Sequence, residues 1–289
     1  MHAYLDAVYR GRNQWWRYLL ALALILGAWL ILGSIPAVVL VIASGTAELE
    51  ALNPLALFLV TMASFVCLLL GLFLAVRVVH GRPLASLVTA EARVDWRRVA
   101  QGAGVWLGLA FGLALVEAGL YPGRYAWAFQ PGPFLTFAVL VVLLVPLQTS
   151  AEELLFRGYL LQTAGLRWRH PLGLSLLSGV LFMLPHLGNP EVAVNFGLLA
   201  LYYFAFGAFA AWLTLRDGGL ELALGLHAAN NLFAALGATY PDSALRTPAL
   251  FQLDTLDPVF NLVSSLVAFG LFAVIVFGVW RRPPVRPGA

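Results

Sequence analysis

TSAEELLFRGYL, residues Thr149 to Leu160, interrupts a chain that otherwise reads as hydrocarbon. The run just before it, FLTFAVLVVLLVPLQ, carries no charge, and the dodecapeptide then supplies Glu152, Glu153 and Arg157. A charged group at the centre of a spanning helix costs about 2.5–3.5 kcal/mol on insertion scales. Three placed together therefore need partners. Glu153 and Arg157 stand at i and i+4, on one helix face and in the favourable acid-before-base order. Glu152 is turned about 100° away and cannot share that arginine. The spacing pairs Glu153 and leaves Glu152 as the carboxylate available for general-base chemistry. A purely structural ion pair is the plainer reading, and the second glutamate speaks against it.

Outward from this stretch the chain keeps its character. Of 289 residues, 61% are hydrophobic and 11% charged, against about 25% charged in a soluble domain. Mean hydropathy is +0.87. A spanning helix needs about 20 mostly apolar residues. Eight segments meet this with the fifth short: 18–43, 52–76, 102–121, 134–161, 171–187, 193–215, 220–238 and 259–280. The first is too long for the core of a cleavable signal peptide and is expected to stay as an anchor. No repeat and no separate soluble domain shows, so residues 1–289 are expected to form a single all-α membrane domain.

All 17 basic residues are arginine. They punctuate apolar runs instead of clustering on a polar face, which argues against nucleic acid as a partner. With the N-terminus cytoplasmic, the inside segments hold Arg10, Arg12, Arg17, Arg77, Arg82, Arg93, Arg97, Arg98, Arg167, Arg169, Arg216, Arg281, Arg282 and Arg286. The outside segments hold Arg124 and Arg246, with the acids Glu48, Glu50, Glu191, Asp242, Asp254 and Asp257. The positive-inside rule then puts both termini in the cytoplasm. Residues 81–102 read as either an interfacial helix or a solvated loop, and 239–258, with three prolines, as irregular. The single cysteine, Cys67, sits among leucines as packing.

Other polar residues occur at membrane depth. LFMLPHLG places His186 near the end of the fifth span, one turn after Phe182, with Pro185 depriving the carbonyl of Leu181 of its helix bond. LHAANNLF places His227 and Asn231 at i and i+4 on the seventh. Each needs a polar partner where water is absent, and the simplest arrangement lets them meet. Glu152 lies 16 residues before Trp168 and His186 lies 18 after it, so the fourth and fifth helices return these two to similar depth. The expected result is a wet pocket beneath the inner leaflet.

The ordered set E-E-x-x-x-R (Glu152, Glu153, Arg157), F-x-x-x-H (Phe182, His186) and H-x-x-x-N (His227, Asn231) resembles the CPBP intramembrane proteases. That group includes the type II CAAX prenyl endopeptidases and the bacteriocin-processing or Abi proteins. The motif-bearing core covers about 149–233. The resemblance implies that Glu152 activates water with help from His186. It further implies that Glu153 and Arg157 hold the site, and that His227 and Asn231 stabilise an oxyanion. Phe182 is expected to pack around the site.

Glu152, His186 and His227 would be the ligands if a metal such as zinc were bound. No H-E-x-x-H is present and Arg157 beside the carboxylates opposes a dication, so a metal-free site is expected. The implied partners are the lipid bilayer and a membrane-anchored peptide or protein. The expected location is a prokaryotic cytoplasmic membrane, with the site facing the cytoplasm. A proton-coupled transporter and a non-catalytic immunity or scaffold protein are the alternatives. The lack of an inverted repeat weighs against the former, and intact motifs against the latter.

Overall fold

The computed structural model describes residues 2–46 and 52–280. Glu48, Glu50, Arg281, Arg282 and Arg286, used above for orientation, lie outside them. The protein is an all-α bundle. A short α1 (His2–Asp6) precedes α2 (Trp15–Leu26), α3 (Ile35–Ser44), α4 (Pro54–Phe73) and α5 (Trp96–Leu120). Then follow α6 (Pro131–Glu153), α7 (Leu161–Ala164), α8 (Pro171–His186), α9 (Phe196–Asp217), α10 (Glu221–Leu236) and α11 (Pro258–Gly278). Several helices run on through π-helical turns, so that Trp15–Ser44, Pro54–Val79 and Pro131–Ala164 are continuous rods.

The eight predicted spans each find their helix. Six are long and apolar enough to cross a membrane. The other two, α8 and α10, have 16 residues each, or about 24 Å. These two carry His186 and His227, so the site is built on the short helices that need the surrounding rods for cover. Large side chains of the outer helices, Ile31, Ile42, Leu143 and Val274 among them, face outward, as a lipid-facing surface requires.

The two ends of the bundle differ. At one end the N-terminal segment, the 77–98 connection and the α9–α10 turn are laced together. Arg12 N–H donates to the His80 carbonyl (2.8 Å), Arg98 pairs with Asp217 (2.7 Å), and Arg169 with Asp6 (2.7 Å). The 81–102 stretch is neither a free loop nor a surface helix. It has one 3-10 turn, Leu84–Leu87, a bridge from Thr89 to Gly219, and the start of α5. Tyr4 and Leu5 of α1 are buried, and the Tyr4 hydroxyl donates to the carbonyls of Leu87 and Arg157.

At the opposite end the loops 121–130 and 237–257 form a small sheet. Its strands are β1 (Ala126–Trp127), β2 (Ala238–Thr239) and β3 (Phe251–Gln252), with β3 central, antiparallel to β1 and parallel to β2. Residues 239–258, expected to be irregular, are therefore pinned through β3. Arg124 binds Glu117 (2.9 Å) at this end.

Helices α5 and α10 pack closely because glycines face each other's backbone. A Cβ on Gly225 would lie 2.0 Å from the Val99 carbonyl oxygen and 2.7 Å from Ala103 N. Small residues are what let membrane helices approach in this way. Gly225→Ala is expected to force the pair apart and cost about 1–3 kcal/mol, seen as a lower midpoint of thermal unfolding in detergent. Gly104→Ala on the same α5, with open space around it, should leave the midpoint unchanged or raise it.

Candidate active site

The two adjacent glutamates end α6 where its turns widen into the π-helical segment Leu154–Leu160. Glu153 and Arg157 make the predicted pair at 2.8 Å, both 0% exposed. The guanidinium needs more than one partner in so dry a place. Its Nη2 donates to the Gly207 carbonyl (3.3 Å), and its plane lies 4.3 Å from the Phe182 ring centroid. That carbonyl is reachable because α8 and α9 touch through glycines. A Cβ on Gly207 would lie 2.8 Å from Phe182 Cβ and 3.0 Å from Gly179 Cα. Phe182 thus does more than fill space: it covers the arginine and the imidazoles of His186 (centroids 4.2 Å apart) and His227 (5.7 Å).

His227 comes from α10 and sits between the carboxylates. Its Nδ1 lies 2.7 Å from Glu153 Oε1 and its Nε2 3.4 Å from Glu152 Oε2. This corrects the sequence reading in one respect. Glu152 is not free: it faces the Gln148 side chain one turn earlier on its own helix and has a second partner across the bundle. No hydrogen bond reaches its buried Oε2, so the contact is one of charge at the edge of bonding range. Since Glu153 Oε1 already faces Arg157 and only accepts, His227 donates through Nδ1. Its Nε2 then faces Glu152 Oε2.

His186, on α8, is oriented by its own helix. Its Nδ1 is 2.7 Å from the carbonyl of Phe182; a carbonyl only accepts, so this nitrogen carries hydrogen. The bond goes to the carbonyl next to that of Leu181, the one Pro185 leaves unbonded. Asn231 donates to Gln148 Oε1 (3.2 Å) and accepts from Asn230 (3.0 Å). One of its two amide hydrogens remains uncommitted.

Glu152, His186, His227 and Asn231 all line one cavity of about 430 Å3. The expectation that these four meet is met. The cavity is walled by α4, α5, α6, α8, α9, α10 and α11, and it continues to the loops that carry Tyr125, Glu191, Ser243 and Asp257. The helix ends at Ala164 and Pro171 extend the other way.

Four neighbours escaped the sequence reading. Gln148, one turn before Glu152, braces Asn231; its position in an apolar run is the one signal that pointed to it. Tyr203 stacks on His186 (centroids 4.5 Å) and donates its hydroxyl to Glu191, which also accepts from Asn189 (3.2 Å) and from Ala244 N–H (3.0 Å). Asn189 and Glu191 follow His186 in the loop after α8, where Asn189 N–H donates to the His186 carbonyl (3.0 Å), whereas Tyr203 reaches His186 only through the α8–α9 crossing.

Among the described residues no three His, Cys, Asp or Glu side chains converge to hold a metal ion.

Removing one member of a buried pair leaves the other charge unmatched, at a cost of about 3–5 kcal/mol. Arg157→Met is expected to lower thermal stability in detergent by that order. Glu153→Gln combined with Arg157→Met should recover a large part of the loss, as measured by the same unfolding transition.

A family model for Rce1-like type II CAAX prenyl endopeptidases matches residues 130–233, from the start of α6 to the Asn231 turn of α10. The uncharacterized protein YyaK of Bacillus subtilis (strain 168) is 30% identical over 283 residues, covering 94% of each chain. No solved structure matches. The motif residues, the cavity they share and the family model agree: the chain is an integral membrane protein of the Rce1-like type II CAAX prenyl endopeptidase family.

Proposed function

We propose that this protein is an intramembrane endopeptidase that hydrolyses a peptide bond of a membrane-anchored substrate with water activated by Glu152. The observation that carries the reading is the juxtaposition at the cavity wall. There Glu152 meets His227, while Arg157 neutralises Glu153. An enzyme that only needed a structural pair would not need the second carboxylate.

The proton between Glu152 and His227 sets the order of events. With that proton on His227, Glu152 is an ionised base facing the cavity. Glu152 takes a proton from water as the water oxygen bonds to the scissile carbonyl carbon. Neutral His186, its Nδ1–H held by Phe182, offers Nε2 as a second acceptor for the same water. The oxygen that gains negative charge is met by the free N–H of Asn231 and by Nε2–H of protonated His227. One such donor contributes about 2.7–4 kcal/mol to lowering a barrier. The C–N bond then breaks, and the proton on Glu152 passes to the leaving amine. The carboxylic acid formed gives its proton to the amine, so the products are a carboxylate and an ammonium group, with Glu152 returned to its starting state. Glu153 and Arg157 act through His227 and the helix frame; they are positioning residues.

Glu152→Gln preserves shape and removes the base. In purified protein tested against a panel of membrane-anchored quenched-fluorescence peptides, it is expected to lower cleavage about 10²–10⁴-fold, with thermal stability close to that of the parent. Cleavage unchanged by this substitution would end the assignment. Cleavage should also survive exhaustive dialysis against EDTA. Activity lost to the chelator and restored by zinc would make the reaction metal-dependent.

A further inference from the structure

The cavity has a floor and a mouth, and they lie toward opposite ends of the bundle. The floor is Glu152, Gln148 and His227. Below it, toward the arginine-rich end, the interior is closed. Glu153 and Arg157 are fully buried, the Tyr4 hydroxyl caps the Arg157 carbonyl, and Arg82, Ser86 and Gln162 form a buried hydrogen-bonded plug. No cavity-lining residue comes from the 80–98, 165–170 or 216–221 connections. The mouth is formed by the opposite loops, through Tyr125, Tyr240, Ser243 and Asp257.

The charge on the two ends differs as sharply. Among the described residues, eleven arginines belong to the closed end: Arg10, Arg12, Arg17, Arg77, Arg82, Arg93, Arg97, Arg98, Arg167, Arg169 and Arg216. The bonds joining Arg12 to His80, Arg98 to Asp217 and Arg169 to Asp6 put these connections physically together. The mouth end holds Arg124 and Arg246, and Arg124 is tied to Glu117. Arginine-rich short connections stay on the cytoplasmic side during insertion.

We infer that the catalytic cavity opens to the extracytoplasmic face, and that its substrate is a membrane-anchored peptide whose scissile bond lies on the outer side of the bilayer. The substrate class rests on the peptidase reading above; the direction of opening does not. The cavity walls suit such a substrate. The α4, α5 and α11 side presents Met62, Phe65, Leu113 and Ala268 to an anchor, whereas Glu152, Glu191 and Asp257 face it without any arginine on the lining. A chain segment bearing amines or amides is matched by that wall, and an anionic one is repelled.

The test uses the full chain with Cys67→Ala and one new cysteine, produced in a bacterial host. Asp242→Cys and Asp254→Cys lie on exposed positions of the mouth loops, and Ala92→Cys on an exposed position of the closed end. A membrane-impermeant maleimide added to intact cells is expected to label both mouth variants at least tenfold faster than Ala92→Cys. The order should invert in inside-out vesicles. Labelling of Ala92→Cys on intact cells with protection of both mouth variants would overturn the inference. This readout needs no catalysis. A result against it leaves the role of Glu152 standing, and failure of Glu152→Gln to affect cleavage leaves the direction of opening standing.

Discussion

A fully buried guanidinium needs partners, and the contacts of Arg157 Nη1 and Nη2 with Glu153 and Gly207 organise this molecule. The pair with Glu153 is not in itself a source of stability, because taking both charges from water costs about as much as their attraction returns. What it imposes is specificity. Arg157 reaches the Gly207 carbonyl only if α8 and α9 meet at Gly179 and Gly207, and it lies under Phe182 only if α8 is in register. Once those helices are seated, Phe182 fixes the planes of His186 and, more loosely, His227. The positions of both imidazoles thus follow from the contacts of one cation.

The same logic explains why the two glutamates differ although they are neighbours in sequence. Glu153 faces inward, where its Oε1 accepts from both Arg157 and His227. Glu152, one residue back, faces the cavity and meets Gln148 and, at 3.4 Å, the far nitrogen of His227. Two adjacent residues of one type are given different work by a rotation of about 100°. The shared imidazole also couples them, so that the state of the base is tied to the integrity of the pair.

Division of labour continues along the bundle axis. One end is a plug built from the N-terminal turn, the 77–98 connection and the α9–α10 turn, with Tyr4, Arg82 and Gln162 buried in it. The other is a rim stiffened by a three-stranded sheet of two-residue strands and by the Glu117–Arg124 pair. A closed end and an open end fit the proposed hydrolysis, which needs water at Glu152 within a site otherwise surrounded by hydrocarbon.

Much of this was legible before any coordinates. Apolar runs of spanning length, the i and i+4 spacing of Glu153 with Arg157, and the polar residues His186, His227 and Asn231 in apolar helices are local features. Local features survive folding because a helix in lipid must satisfy its backbone within itself. Contacts between helices are another matter. That His227 reaches both glutamates, that Gln148 braces Asn231, and that Tyr203 and Glu191 flank His186 depends on which helix faces meet. That choice rests on glycine contacts and crossing geometry that no single segment encodes. Relative depth is hidden from the sequence for a related reason. Residue counts give distance along a helix, but how far each rod extends past its neighbours, and so which end of the cavity stays open, is decided only when the rods pack.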